Sequence, residues 1–150
     1  MWLAIAGLAG SLWAADPLIG TWQLNVAKSK LDPIRANTKE ETIAFRDLGD
    51  QYELIYHDVR ADGSTTSSKC TWPKQGGVRR YQVGGLPEGM LIVETVLAAN
   101  EGFSTVLQNG KQIAVNHWVI GDDRRTMRII GKGVEINGKA YGALLLWERQ

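Results

Sequence analysis

Apolar and polar residues alternate through most of the chain, in short runs separated by turn residues. The first run is Gly20 to Val26, in which Trp22, Leu24 and Val26 share one face and the residues between them are polar. Alternation with a period of two predicts a half-buried β-strand. We therefore expect the first strand of a sheet here, with Trp22 as an anchor of the core.

Further runs of this kind follow to the end of the chain, bounded by Gly, Pro, Asn and Asp. They cover residues 40–45, 51–59, 65–72, 78–83, 90–98, 103–107, 113–120, 126–136 and 141–148. Short strands at a spacing of roughly 8–12 residues predict a barrel or a sandwich. Turn pairs such as Asp62-Gly63 and Asn109-Gly110 are typical of tight hairpins, which join neighbouring antiparallel strands. We expect an all-β fold, an antiparallel up-and-down β-barrel of about eight to ten strands, with a two-sheet sandwich as the alternative.

The N-terminal segment has a different composition. Residues 1–15 carry no charged side chain and are almost wholly apolar. A helix that spans a bilayer needs about 20 residues, so this run is more typical of a signal peptide; an apolar strand or anchor is the alternative. Leu8-Ala9-Gly10-Ser11 has Ser where a lipoprotein signal has Cys, so we expect no stable membrane anchor. We predict a signal peptide over 1–15, a barrel domain over 16–150, and a periplasmic or secreted protein.

The segment that opens the predicted barrel contains a recognisable motif. Asp16 to Lys30 reads DPLIGTWQLNVAKSK. Its Gly-Thr-Trp resembles the Gly-x-Trp motif of lipocalin (calycin-type) proteins, and the longer stretch resembles the opening of secreted bacterial lipocalin-like proteins of uncharacterised function. The resemblance implies a barrel whose closed end is plugged by Trp22, and a basic residue at the end of the last strand that covers this ring. Gly20, Trp22 and Arg149 form the expected structural signature, in which a cation–π contact contributes on the order of 1 kcal/mol; a solvent-exposed Arg149 is the alternative.

Length and charge narrow the function classes. The 150 residues fit one domain, and the net charge of +1 comes from interspersed charges without a basic stripe, so we expect no nucleic-acid partner. The pairs Arg79-Arg80 and Arg124-Arg125 lie near turn signals and are expected in solvated loops. Cys70 is the only cysteine, which excludes an intrachain disulfide and favours a small buried side chain. The oligomeric state stays open.

The sequence indicates no metal site, cofactor or catalytic motif. The two histidines, His57 and His117, are too few for a three-histidine zinc site, and neither has a carboxylate at metal-ligand spacing. A Gly-x-Ser-x-Gly nucleophile elbow is also missing.

A barrel of this size either fills its interior with side chains or holds one small ligand. Ligand pockets are mainly apolar and aromatic, with a few placed polar groups. Strand residues of these types are the candidate ligand-binding residues: Tyr52, Tyr56, Trp72, Glu94, Phe103, Asn116 and Trp118, with Tyr81, Tyr141, His57 and His117 as further candidates. Alternation assigns faces only relative to neighbours, so which face lines the interior stays open. Three loops, 61–64, 84–89 and 121–125, are expected to control access at the open end.

We therefore predict that the barrel binds a small apolar or amphipathic molecule. The first alternative is an envelope interaction module with a packed interior. The second is an enzyme that uses Glu94 or His117 as a general base inside the barrel. An empty apolar cavity favours ligand binding, a filled interior favours the module, and a solvent-reachable, inward-facing Glu94 or His117 favours the enzyme.

Overall fold

Eleven β-strands and two short 3-10 turns make up residues 15–150, the part of the chain that the structure, a computed structural model, describes. The signal peptide predicted over 1–15 lies outside the described residues, apart from Ala15. The strands are β1 (Gly20–Leu24), β2 (Thr38–Asp47), β3 (Gln51–Arg60), β4 (Thr65–Pro73), β5 (Gly76–Val78), β6 (Arg80–Val83), β7 (Met90–Ala98), β8 (Glu101–Gln108), β9 (Lys111–Ile120), β10 (Thr126–Val134) and β11 (Ala140–Arg149). The 3-10 turns, Val26–Lys28 and Pro33–Arg35, both lie between β1 and β2. Within residues 15–150, every helical segment is too short to cross a membrane.

The strands form one antiparallel sheet that curves back on itself. Its order is β5-β7-β8-β9-β10-β11-β1-β2-β3-β4-β6, so almost every strand pairs with its neighbours in the sequence. The first and last strands pair with each other, which sets Trp22 opposite Arg149. The two outer members, β5 and β6, are consecutive in the chain, and one pairs with β7 while the other pairs with β4. The segment 76–83 therefore nearly closes the sheet, and the predicted all-β up-and-down barrel is confirmed.

The strand count exceeds the expected eight to ten because the run predicted as one strand, 78–83, is divided at Arg79. Its extra part begins at Gly76 and Gly77, which the sequence pattern assigned to a turn but which pair with β7. A Cβ atom on Gly76, whose φ is +102°, would lie 2.7 Å from the carbonyl oxygen of Glu94. Only glycine permits this close approach of two backbones.

The register shows which face of each strand lines the interior. Trp22 lies opposite Ile43, Ile43 opposite Tyr56 and Tyr56 opposite Ser68, across four adjacent strands. The large buried side chains on this face gather where β1 begins, an end that we call the closed end: Trp22, Phe45, Tyr52, Leu54, Trp72, Ile120, Met127 and Trp147. The opposite half of the interior, where β1 ends, is called the open half.

The segment 15–19 seals the closed end. Leu18 is buried, and its carbonyl oxygen accepts a hydrogen bond of 3.1 Å from the indole Nε1 of Trp22. The hydroxyl of Tyr52 donates to the carboxylate of Asp16 at 2.5 Å. The segment is thus fixed to the barrel by both of these aromatic side chains.

Arg149 completes this seal. Its guanidinium carbon lies 4.2 Å from the centre of the Trp22 ring, and the group donates to the carbonyl oxygens of Ile19, at 2.5 Å, and of Pro17. A Cβ atom on Gly20 would collide with this guanidinium, so the glycine of the motif makes room for Arg149 as well as for the indole. Burial lowers the pKa of Arg149, and nearby Arg124 adds to this effect.

Candidate functional site

The open half of the interior is lined by smaller side chains than the closed end. Register places six small residues on the inward face there: Ser68, Ser104, Ala114, Gly131, Gly133 and Ala143. An eight-stranded barrel is just wide enough to be filled by its own side chains or to hold one small ligand, and the interior widens as strands are added. At two of these positions a larger neighbour lies over the glycine, since a Cβ atom on Gly131 would be 2.6 Å from Oδ1 of Asn116 and one on Gly133 would be 2.5 Å from the hydroxyl of Tyr141.

Several inward-facing side chains of the open half also remain half-buried. Asn116 and Ile129 lie in the middle of β9 and β10, with Ser104, Gly131 and Trp118 as buried neighbours on the same face. We call the interior of the open half the lumen. The tyrosines that face it are also half-buried: Tyr56, Tyr81 and Tyr141.

A charged cluster inside the barrel joins Arg79, between β5 and β6, to residues of β7 and β8. The Nε and Nη2 atoms of Arg79 each lie 2.6 Å from Oε1 of Glu94. The hydroxyl of Ser104 lies 3.0 and 2.9 Å from the two carboxylate oxygens of Glu94, which is only 4% exposed. The guanidinium carbon of Arg79 is 5.1 Å from the centre of the Trp72 ring. Both charges of this cluster are therefore occupied by partners inside the protein.

A second charged cluster fastens the loop between β1 and β2 to the open half. Arg35 donates to both oxygens of Glu41 at 2.8 Å and to Asp32 at 2.7 Å. Glu41 is fully buried, and burial raises the pKa of its carboxyl group, although Arg35 opposes this shift. On β3, the Nε of Arg60 lies 2.5 Å from the buried carboxylate of Asp58.

The remaining polar groups of the interior are uncharged at neutral pH. Burial raises the pKa values of all four tyrosines of the chain: Tyr52, Tyr56, Tyr81 and Tyr141. Burial also raises the pKa of the thiol of Cys70, which is 1% exposed. The lumen therefore offers neutral hydroxyl and amide groups beside charges that are already paired.

The structure places six of the seven candidate ligand-binding residues on the inward face. Tyr52, Trp72 and Trp118 belong to the packed region, whereas Tyr56, Glu94 and Asn116 line the open half. Phe103 lies on the outer face, with its ring stacked on His117 at a centroid distance of 4.6 Å. The register explains this difference, because Ser104, the next residue, pairs with Glu94 on the inward face.

Neither histidine reaches the lumen. His117 shares the outer face with Phe103 and lies 2.8 Å from Glu101, and His57 is exposed beside Ser67. In the range 15–150, no three or more His, Cys, Asp or Glu side chains come together as a metal site.

Two expectations about basic residues and loops are wrong. The sequence pattern predicts Arg79 in a solvated loop, but this side chain points into the barrel, where Glu94 provides a buried counter-charge. The pattern also predicts the loop 121–125 at the open end, but the carbonyl of Arg124 accepts a hydrogen bond from Arg149 at the closed end. The loops 61–64 and 84–89 do follow the open-end termini of β3 and β6.

Two concavities lie near the barrel surface. One, of about 450 Å³, is at the open rim and is lined by Asn37, Arg60, Ala61 and Asp62. The other, of about 380 Å³, lies along β9, β10 and β11, with Val119, Arg128 and Leu146 among its lining residues. The first lies beside the loop 61–64 at the open end.

No family model and no curated protein matches this chain. Among solved structures, the chain is similar to the siderocalin Ex-FABP, which is described as functioning through dual ligand specificities. The two are 14% identical, the match covers 89% of this chain and 71% of that one, and the TM-score is 0.43. The likeness concerns only the fold. The up-and-down strand order and the Trp22 plug described above make the fold lipocalin-like.

Proposed function

We propose that this protein binds a small apolar or amphipathic molecule in the lumen of the open half. The observation that carries the proposal is the half-burial of Asn116 and Ile129, which face inward from the middle of their strands. Burial of apolar ligand surface contributes about 25 cal/mol per Å² before the cost of ordering the ligand. A periplasmic or secreted location is part of the proposal and rests on the apolar segment 1–15.

The lining suits an amphipathic molecule. Ile92, Val106 and Ile129 provide apolar surface on β7, β8 and β10. Tyr141, the second residue of β11, stands near the rim, whereas Tyr56 and Asn116 lie about halfway along β3 and β9. We expect the polar part of the ligand to reach these groups and its apolar part to lie against the aliphatic side chains.

The two alternatives have less support. A packed interaction module predicts large buried side chains throughout the interior, whereas the large aromatic side chains of the core cluster lie at the closed end. An acid–base enzyme needs an accessible base in the lumen, but His117 faces outward and Glu94 is held by Arg79 and Ser104.

Two adjacent serines offer a matched test. Ser68 faces the lumen opposite Tyr56, whereas Ser67 is exposed on the outer face beside His57. The probe is the uncharged fluorophore N-phenyl-1-naphthylamine, titrated into each protein. We expect saturable binding by the wild type, an affinity about tenfold or more lower in Ser68→Phe because the phenyl ring occupies the lumen, and little change in Ser67→Phe.

Thermal unfolding of both variants checks that the barrel is intact. The proposal fails if the wild type takes up no probe. It also fails if folded Ser68→Phe binds the probe as tightly as Ser67→Phe does.

A further inference from the structure

The cations that face the open half are all paired with carboxylates. Arg79 pairs with Glu94, Arg60 with Asp58, and Arg35 with Glu41 and Asp32. The other basic side chains within residues 15–150 lie towards the outer surface or, like Arg149, at the closed end. The described part of the lumen therefore holds no cation that is free to neutralise an anionic ligand.

The Arg79–Glu94 pair lies halfway along β7. Two nitrogens of Arg79 contact a single oxygen of Glu94, and Ser104 lies within hydrogen-bond distance of both oxygens. A ligand carboxylate near this cluster would be repelled by Glu94, and a ligand ammonium would be repelled by Arg79. Either ion would also lose its hydration without gaining a counter-charge, which is costly in a partly buried site.

An uncharged head group meets no such penalty. The Tyr81 and Tyr141 hydroxyls and the Asn116 amide face the same space and can each donate and accept hydrogen bonds. These hydroxyls and the amide are neutral at neutral pH, so they can hydrogen-bond an alcohol or an amide but supply no counter-charge to an ion.

We propose that the lumen selects amphipathic molecules with an uncharged, hydrogen-bonding head group, and that Glu94 sets this selectivity by neutralising Arg79. This inference rests on the proposed function, since it names the class of molecule that the same lumen takes.

The first test compares three ligands of equal chain length: decanol, decanoic acid and decylamine. At neutral pH the acid is ionised and the amine protonated. Binding is measured by isothermal titration calorimetry and by displacement of N-phenyl-1-naphthylamine. We expect decanol to bind most tightly, with an affinity on the order of tenfold or more above that of decanoate.

The outcomes separate the two proposals. If decanoate or decylamine binds as tightly as decanol, the selectivity is refuted while ligand binding stands. If none of the three binds and the probe is not taken up, the proposed function itself is refuted.

The second test removes the charge of Glu94, which should weaken the preference for decanol over decanoate. Glu94→Gln keeps the shape of the side chain and its contact with Ser104 but leaves Arg79 without a counter-charge. We expect the affinity for decanoate to rise on the order of tenfold or more relative to the affinity for decanol. Glu101→Gln is the matched control, because it removes the same charge beside His117 on the outer face, and it should leave both affinities unchanged.

A double variant provides a second test that does not depend on the folding of Glu94→Gln. Arg79→Gln combined with Glu94→Gln removes both charges, so no unpaired ion is buried, and we expect it to keep the preference for decanol. A gain in decanoate affinity by this double variant refutes the role of Arg79. Folded Glu94→Gln without such a gain refutes the role of Glu94.

Discussion

Arg149→Ala removes the side chain that seals the closed end. The guanidinium covers Trp22 at 4.2 Å and donates to the carbonyl oxygens of Ile19 and Pro17, and at 2.6 Å to that of Arg124. The two bonds to the partly buried segment 15–19 contribute about 1 kcal/mol each, and the bond to exposed Arg124 contributes less. The cation–π contact adds about 1 kcal/mol. We expect the free energy of unfolding to fall by about 3 kcal/mol.

Differential scanning calorimetry and urea unfolding measure this loss. In a domain of this size a loss of 3 kcal/mol lowers Tm by about 10 °C. Arg128→Ala is the control, because Arg128 is exposed on the outer face of β10, and its Tm should change by no more than about 2 °C. Arg149→Lys keeps the charge but loses the planar, multiple donor group, so its Tm should fall between those of wild type and Arg149→Ala.

The reasoning is refuted if Arg149→Ala lowers Tm no more than Arg128→Ala does. It is also refuted if Arg149→Lys is as stable as the wild type, since a point charge alone would then account for the seal.

Three further predictions concern buried titratable groups. Burial raises the pKa values of all four tyrosines, so stability that is present below about pH 10 should be lost as the pH rises further. In a tyrosine absorbance titration we expect ionisation only together with unfolding. Tyrosinate formed by the folded protein near pH 10 would contradict this. The raised pKa and burial of Cys70 predict that iodoacetamide labels it only in denaturant, and prompt labelling of the native protein would contradict this. Arg35→Met leaves Glu41 buried without its cation, so we expect a loss of about 3–5 kcal/mol at neutral pH. Because protonation of Glu41 removes the unpaired charge, the loss of stability should be smaller in acid than at neutral pH. Urea unfolding measures both losses, and an equal loss in acid and at neutral pH would argue against the pairing.

Much of the fold could be predicted because a strand reveals itself locally. Alternation in the segment around Trp22 and turn pairs such as Asn109-Gly110 depend only on nearby residues, and together they indicate an up-and-down barrel. The division of one strand at Arg79 could not be predicted this way. It depends on the approach of Gly76 to the backbone of β7, a contact between segments distant in the sequence.

The candidate site was harder to predict for two physical reasons. Alternation shows that Phe103 and Ser104 lie on opposite faces but not which of them faces inward. That assignment depends on the strand pairing traced across the sheet from Trp22. Charge usually indicates exposure, so the sequence predicts a solvated Arg79, whereas pairing with Glu94, 15 residues further along the chain, holds it inside the barrel.

The most direct test of the central claim, that the lumen holds a small molecule, is native mass spectrometry of the protein purified from the cells that produce it. We predict a stoichiometric small-molecule adduct with an uncharged head group, identified by organic extraction, in the wild type and in Ser67→Phe but not in folded Ser68→Phe. Apoprotein alone in all three samples, with no uptake of N-phenyl-1-naphthylamine, would contradict the claim.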